Sequence, residues 1–281
     1  MKIIANIARF ILIAILTICI IAMSVITIVS STILDKNYII SKLEETNFYE
    51  EVYKLVESNF ENYIYQSGLD ETALNNICSK EKVEQDINLM ISNIYEGTNK
   101  KIDTTPIKDN LNENIDKLDV RNKKNSEAIN QFVKHICEEY ENTLIHTEYE
   151  NKIYNTYSKV VTILNKVRTA TIIAICIDAV LILIASIKQI SKFVQAIGIS
   201  VLSSSIFGIV ACNIVTSKVD IQGIKIFNDA FSKTLVTIIQ ELISKVQTLS
   251  IITLIIAIML IIIYSIMTAI ANNKNDKVTK D

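Results

Sequence analysis

Residues 169–217 read TATIIAICIDAVLILIASIKQISKFVQAIGISVLSSSIFGIVACNIVTS, and the charges in this stretch decide the fold. Two apolar runs, 169–187 and 193–217, flank the short polar segment KQISK at 188–192. The runs are 19 and 25 residues long, and about 20 residues of helix cross a hydrocarbon core roughly 30 Å thick. Two such helices joined by a five-residue turn make a hairpin in a bilayer. Outward from it, residues 10–34 and 246–273 also lack Lys, Arg, Asp and Glu, over 25 and 28 residues. Asp178 is the one charged residue inside any of the four runs. The first run exceeds the ~7–15 residues of a signal-peptide core, and no Ala-x-Ala pattern closes it, so an uncleaved anchor is expected.

Half of the residues are hydrophobic and 21% are charged, so the apolar residues are segregated rather than spread. Five glycines, one proline (Pro106) and no tryptophan leave few helix breakers. The expected fold is all-α: a polytopic membrane protein with four transmembrane helices and a helical-bundle extracytoplasmic domain between spans one and two. The richness in Ile, Asn and Lys is what an AT-rich genome encodes, so a low-GC bacterium is the expected source and, with four spans, its plasma membrane the expected location.

Orientation follows from Lys and Arg in the short segments. Lys2 and Arg9 precede span one, Lys188 and Lys192 sit in the tight turn, and Lys274, Lys277 and Lys280 follow span four. Both termini are therefore expected in the cytoplasm. That gives a cytoplasmic N-terminus (1–9), span one (10–34), an extracytoplasmic domain (35–168) and span two (169–187). A cytoplasmic turn (188–192), span three (193–217), an extracytoplasmic loop (218–245), span four (246–273) and a cytoplasmic tail (274–281) complete it. The domain at 35–168 has 17 basic and 24 acidic residues. Its net charge of −7 opposes nucleic-acid binding, which needs a basic footprint.

The domain has helical periodicity. Tyr49, Val52, Tyr53, Val56, Phe60, Tyr63 and Ile64 mark one face, with Asn47 and Glu50 spaced as a capping box and Gly68 at the C-terminal end. A second helix is predicted from Ser79 through Val83, Ile87, Met90 and Ile94 to Gly97. A third starts at Thr105-Pro106 and carries Ile107, Leu111, Ile115 and Leu118. A fourth starts at Ser126 with Ile129, Val133, Ile136 and Tyr140. After a weaker patch at 142–146, Ile153, Tyr157, Val160, Leu164 and Val167 form a heptad seam that runs into span two. Phe227, Phe231, Leu235, Ile238, Leu242 and Val246 form a stripe continuing into span four, with the large domain as its expected cover.

Asp178 lies tenth of nineteen in span two. A midplane acid costs about 2.5–3.5 kcal/mol on insertion scales and should face the bundle. Reflection about the turn puts Ser203, Ser204 and Ser205 at its depth, with Asn213 nearer the outer surface. Ala196, Ser200, Ser204, Gly208 and Cys212 form a small-residue ridge along span three, expected to pack on span two so that Ser204 or a neighbour bonds Asp178. The carboxyl has two readings: interhelical glue, or a proton or cation site. Transport paths usually show further acids or broken spans, and neither is present.

Cys19, Cys176 and Cys212 fall in spans. Cys78 and Cys137 fall in the domain, either paired or reduced. His135 and His146 each precede a Glu by four residues (Glu139, Glu150), too few donors for a closed metal site. No phosphate-cradling loop, nucleophile elbow or zinc motif occurs, so no catalytic residue, cofactor or metal is expected, and no enzyme.

The stretches NYIISKLEETNFYEEVYKLVESNFENYIYQSGLDE, DINLMISNIYEG and IDTTPI resemble an uncharacterised group of multi-span membrane proteins of low-GC Gram-positive bacteria, over about the first half of the chain. The resemblance implies a membrane location and a helical build, with no activity to carry over. In outline the layout is similar to permease subunits of the cell-division and macrolide-exporter families. Those work with a cytoplasmic ATPase, for which the nine leading residues and the five-residue turn offer little coupling surface. The sequence points instead to an interaction or sensory protein in contact with the lipid bilayer, acting through a membrane or cell-surface protein partner or as a homo-oligomer. A transport-related subunit using Asp178 and a structural envelope protein are the alternatives.

Overall fold

The computed structural model describes residues 2–120, 125–144, 147–187, 189–226 and 228–278, and the regular structure among them is helical, with no strand. In order they form α1 (Lys2–Ser30), α2 (Lys36–Glu45), α3 (Phe48–Ser67), a 3₁₀ turn (Glu71–Leu74), α4 (Lys80–Glu96), α5 (Thr105–Lys117), α6 (Ser126–Leu144), α7 (Thr147–Ala185), α8 (Ile190–Lys218) and α9 (Asp229–Val278). Four stretches are long and apolar enough to cross a membrane: Asn6–Ser30, Lys152–Ala185, Ile190–Lys218 and Asp229–Asn272. The chain divides into two compact units. An apolar unit holds Met1–Thr32, Thr162–Ile224 and Ile238–Asp281, and a helical domain holds Ile33–Val161 and Lys225–Thr237.

Local chemistry sets the helix ends. α1 stops at Ser30, four residues before its charge-free run ends, where the hydroxyls of Ser31 and Thr32 donate to the Ile28 carbonyl. Asp35 then caps α2, its carboxylate accepting from the amides of Asn37 and Tyr38. Ser79 caps α4 through the Lys82 amide, and Gly68 and Gly97 end α3 and α4 with φ of 71° and 68°. The capping box expected at Asn47 is not formed. Asn47 adopts φ 55° and its side chain makes no cap bond, because only Thr46 and Asn47 link α2 to α3 and the Asn47 amide closes α2 on the Glu44 carbonyl. The expected fourth helix is seen as α6 and α7; the junction at 145–146, with His146, lies outside the described residues.

The core of the helical domain is built from the apolar faces read from periodicity, except that Tyr63 is exposed and Tyr53 and Leu118 lie half-buried at its edge. Val52, Val56, Phe60 and Ile64 of α3 meet Val83 and Met90 of α4, Ile107, Leu111 and Ile115 of α5, and Ile136 and Tyr140 of α6. The first turns of α9 complete it: Ala230 joins the core, the Phe231 ring meets Phe48 edge-on at 4.7 Å, and the Thr234 and Thr46 hydroxyls lie 2.8 Å apart. Phe227 lies outside the described residues.

A buried polar group sits among these apolar faces. Asp86 accepts from the Tyr140 hydroxyl at 2.6 Å and pairs with Lys82 at 2.8 Å, so both carboxylate oxygens are satisfied. Burial, then the bond to Asp86, holds the Tyr140 phenol far above its ordinary range. The Cys78 thiol beside it is pushed up to about 11, chiefly by burial. Cys78 and Cys137 are both free thiols.

Leu111→Ala removes a fully buried side chain and is expected to destabilise the domain by about 2–5 kcal/mol. Thermal unfolding of the full-length protein in detergent checks it; no loss would mean that α5 is not part of the core. At pH 7.5, alkylation of Cys78 is expected to run about a hundredfold slower than for an ordinary thiol and to rise tenfold per pH unit toward its pKa of about 11. Intact-mass kinetics read the rate, and rapid labelling at neutral pH would contradict this placement.

Candidate functional site

In the apolar unit, Asp178 projects from the face of α7 that also carries Thr171 and Ile182, and it is 3% exposed. Its Oδ2 is enclosed without a hydrogen-bond partner among the described residues. Cys19 of α1 lies within Coulombic reach.

The expected bond from Ser204 is not made. Ser204 donates to the Val201 carbonyl of its own helix. Ser205 also bonds that carbonyl, and it reaches the Thr253 hydroxyl of α9 at 2.9 Å. Ser203 and Asn213 are exposed on the surface of α8. Matching depth along two helices does not fix the azimuth at which a side chain leaves its axis, so a reflection about the turn cannot choose the partner.

The small-residue ridge exists, but it serves three neighbours, and only its Ala196 end meets α7. Ala196 packs with Leu16 of α1 and Ile182 of α7, and Ser200 donates to the Ile13 carbonyl of α1 at 3.1 Å. Farther along, a Cβ on Gly208 would fall 2.1 Å from Ser250 Oγ of α9, and the Cys212 thiol faces the Ile243 carbonyl. Residues four apart on a helix of 3.6 per turn advance about 40° per step, so the ridge swings through roughly 160° from Ala196 to Cys212. One row of small residues therefore admits α1 at one end and α9 at the other.

One turn on from Asp178, Ile182 is fully buried against Leu16 and Ala196. Beyond that apolar layer come the enclosed Ser186 hydroxyl and Arg9, whose guanidinium donates to the Ala185 carbonyl at the end of α7.

In the helical domain, a groove of about 570 Å³ opens between α4, the turn after α1, and the first half of α7. Ile91 and Tyr95 form one wall, Ile153, Tyr157 and Val160 the other, and Ile33 one end. The Tyr95 hydroxyl donates to the Ile33 carbonyl, and its ring meets Tyr157 at 4.7 Å between centroids. At Gly97 a Cβ would sit 3.0 Å from the Tyr154 hydroxyl, so the left-handed cap of α4 also makes room for α7. The heptad seam does not zip against a neighbouring helix here: Ile153 and Val160 stay about 40% exposed as groove wall.

No group of three metal-ligating residues occurs among the described residues. His135 faces Glu138 rather than Glu139, at 3.2 Å, and Glu139 instead takes hydrogen bonds from Asn59 and Tyr63. Comparison with known protein families, curated proteins and solved structures finds no match for this chain. The reading of function therefore rests on geometry alone.

Asp178→Leu is expected to stabilise the protein by about 1–3 kcal/mol, because it removes an enclosed oxygen with no partner. Thermal unfolding in detergent decides this, and a destabilised variant would reveal a partner for the carboxyl. Gly208→Ala is expected to lower stability, and Ser250→Gly in the same chain to restore most of the loss, because the hydroxyl is the obstructing atom.

Proposed function

We propose that this is a multi-pass protein of the bacterial plasma membrane that acts as an interaction or sensory module. Its helical domain lies outside the cell, both termini lie in the cytoplasm, and a partner in the membrane carries the output. The observation that supports this is the build of α7. One uninterrupted helix, Thr147–Ala185, supplies a wall of the apolar groove with its first half and the buried face bearing Asp178 with its second. An α-helix transmits displacement and rotation along its axis without a hinge unless a proline, a glycine or a bulge intervenes, and α7 has neither proline nor glycine. α9 repeats the arrangement: Phe231 and Thr234 lock into the domain core, and the same helix runs on through the fourth apolar stretch.

A transport role for Asp178 is the second reading, favoured by its unpartnered oxygen and opposed by the apolar layer at Ile182. The proposal assigns no catalytic residue, metal or cofactor.

The test has two arms in living cells of the source bacterium. An impermeant maleimide is expected to label a cysteine placed at Lys100 in intact cells, and one placed at Lys277 only after permeabilisation; the reverse would invert the orientation. A photo-crosslinking residue at Val167 is expected to capture one stoichiometric membrane partner. Capture of this chain alone, with loss of pH-dependent ion flux in Asp178→Asn, would replace the sensory reading with transport.

A further inference from the structure

We infer that the groove of the helical domain holds an acyl chain of an anionic phospholipid drawn from the surrounding bilayer. This rests on the reading of that domain as a ligand-binding module and names the ligand.

The groove is bounded by the two segments through which the chain leaves and re-enters the apolar stretches. Ile33 comes three residues after the last residue of α1. Val160 comes nine residues before the charge-free run that begins at Thr169, about 13 Å along the helix. A lipid tail needs what the groove offers: aliphatic walls, two tyrosine rings, and hydrogen-bonding groups already engaged, as the Tyr95 hydroxyl is with Ile33. The groove volume lies within the roughly 300–1,000 Å³ typical of small-ligand sites, and its lining is almost wholly apolar, as a hydrocarbon chain requires.

The charges beside the groove give the headgroup. The domain as a whole is acidic, yet residues 151–177 contain Lys152, Lys159, Lys166 and Arg168 and no acid. Lys152, Lys159 and Lys166 recur every seven residues, so they share one face of α7, and all three are exposed. A basic stripe beside a membrane-crossing helix attracts anionic headgroups, and Tyr154 and Tyr157 supply the amphipathic rings favoured at that level.

The experiment uses the purified full-length protein, with no partner, in nanodiscs containing phosphatidylglycerol with a photoreactive acyl chain. Crosslinks are expected on the peptides that carry Ile91–Tyr95 and Ile153–Val160. They should fall several-fold in Val160→Trp, which fills the groove from a half-exposed position. They should fall roughly tenfold in the surface variant K152Q/K159Q/K166Q, and by a similar factor when the probe is phosphatidylcholine. Label confined to the charge-free spans, equal label from the neutral lipid, or groove residues crosslinked to a second copy of this chain would each overturn the proposal. Because no partner is present, lipid occupancy can fail here while partner capture in cells stands, and the reverse.

Discussion

A peptide group in hydrocarbon has no water to bond, so every amide and carbonyl that crosses the membrane must be satisfied within its own segment. That constraint explains why the four apolar stretches are unbroken helices and why the chain's one proline stands outside them, at the start of α5. It also explains the side chains that the apolar unit tolerates. Thr17, Ser24, Ser200, Ser250 and Thr253 all return their hydroxyls to carbonyls three or four residues back in the same helix. A hydroxyl can satisfy itself in this way, but a carboxylate has no proton to donate. Asp178 is left with an enclosed oxygen unpartnered among the described residues, while these three serines and two threonines cost little.

How much was legible follows from how local each signal is. α3, α4, α5 and α6 could be read because a period of 3.6 and the residues at their ends, Ser79, Pro106, Gly68 and Gly97, agree. The buried positions on those faces are the ones the periodicity selects, including Ile107, Leu111 and Ile115. α2 was missed because ten residues carry only about two turns of pattern, although Asp35 directly after an apolar run was an available cap signal. The 3₁₀ turn at Glu71–Leu74 has no apolar period at all and is held from outside, by the Asn114 amide on the carbonyls of Ala73 and Asn75. The pairing of Asp86 with Tyr140 spans 54 residues, and nothing in either segment announces it.

The ridge on α8 and the depth match for Asp178 share one limitation. A sequence gives position along a helix well, but the azimuth accumulates error, since 3.6 does not divide the repeats of four and seven used to mark a face. An offset of 40° per step is harmless over one turn and decisive over four. Ala196 and Ser200 therefore find α1, while Gly208 and Cys212 find α9. The same drift lets the seam on α7 serve two purposes, with Tyr157 and Val160 on the groove and Thr171, Asp178 and Ile182 on a buried face farther along one helix.

The groove and the core of the helical domain have the same chemistry, and the difference between them is informative. Fully buried Ile107, Leu111 and Ile136 are closed over by neighbouring helices, whereas Ile33, Ile153 and Val160 keep roughly 40% of their surface exposed. Three such residues left open in water would forgo stabilisation worth about 25 cal/mol for each Å² of apolar surface. The helices beside them are not short of material to close the gap: Ile91 and Ile94 behind the opening are buried, and Gly97 already brings α7 within contact of α4. A domain able to pack Tyr154 against Gly97 could pack Ile153 against Ile91 by the same approach. The Tyr95–Tyr157 ring contact and the Tyr95 hydroxyl on Ile33 tie the walls together at one end, and beside them Ile153 and Val160 stay open.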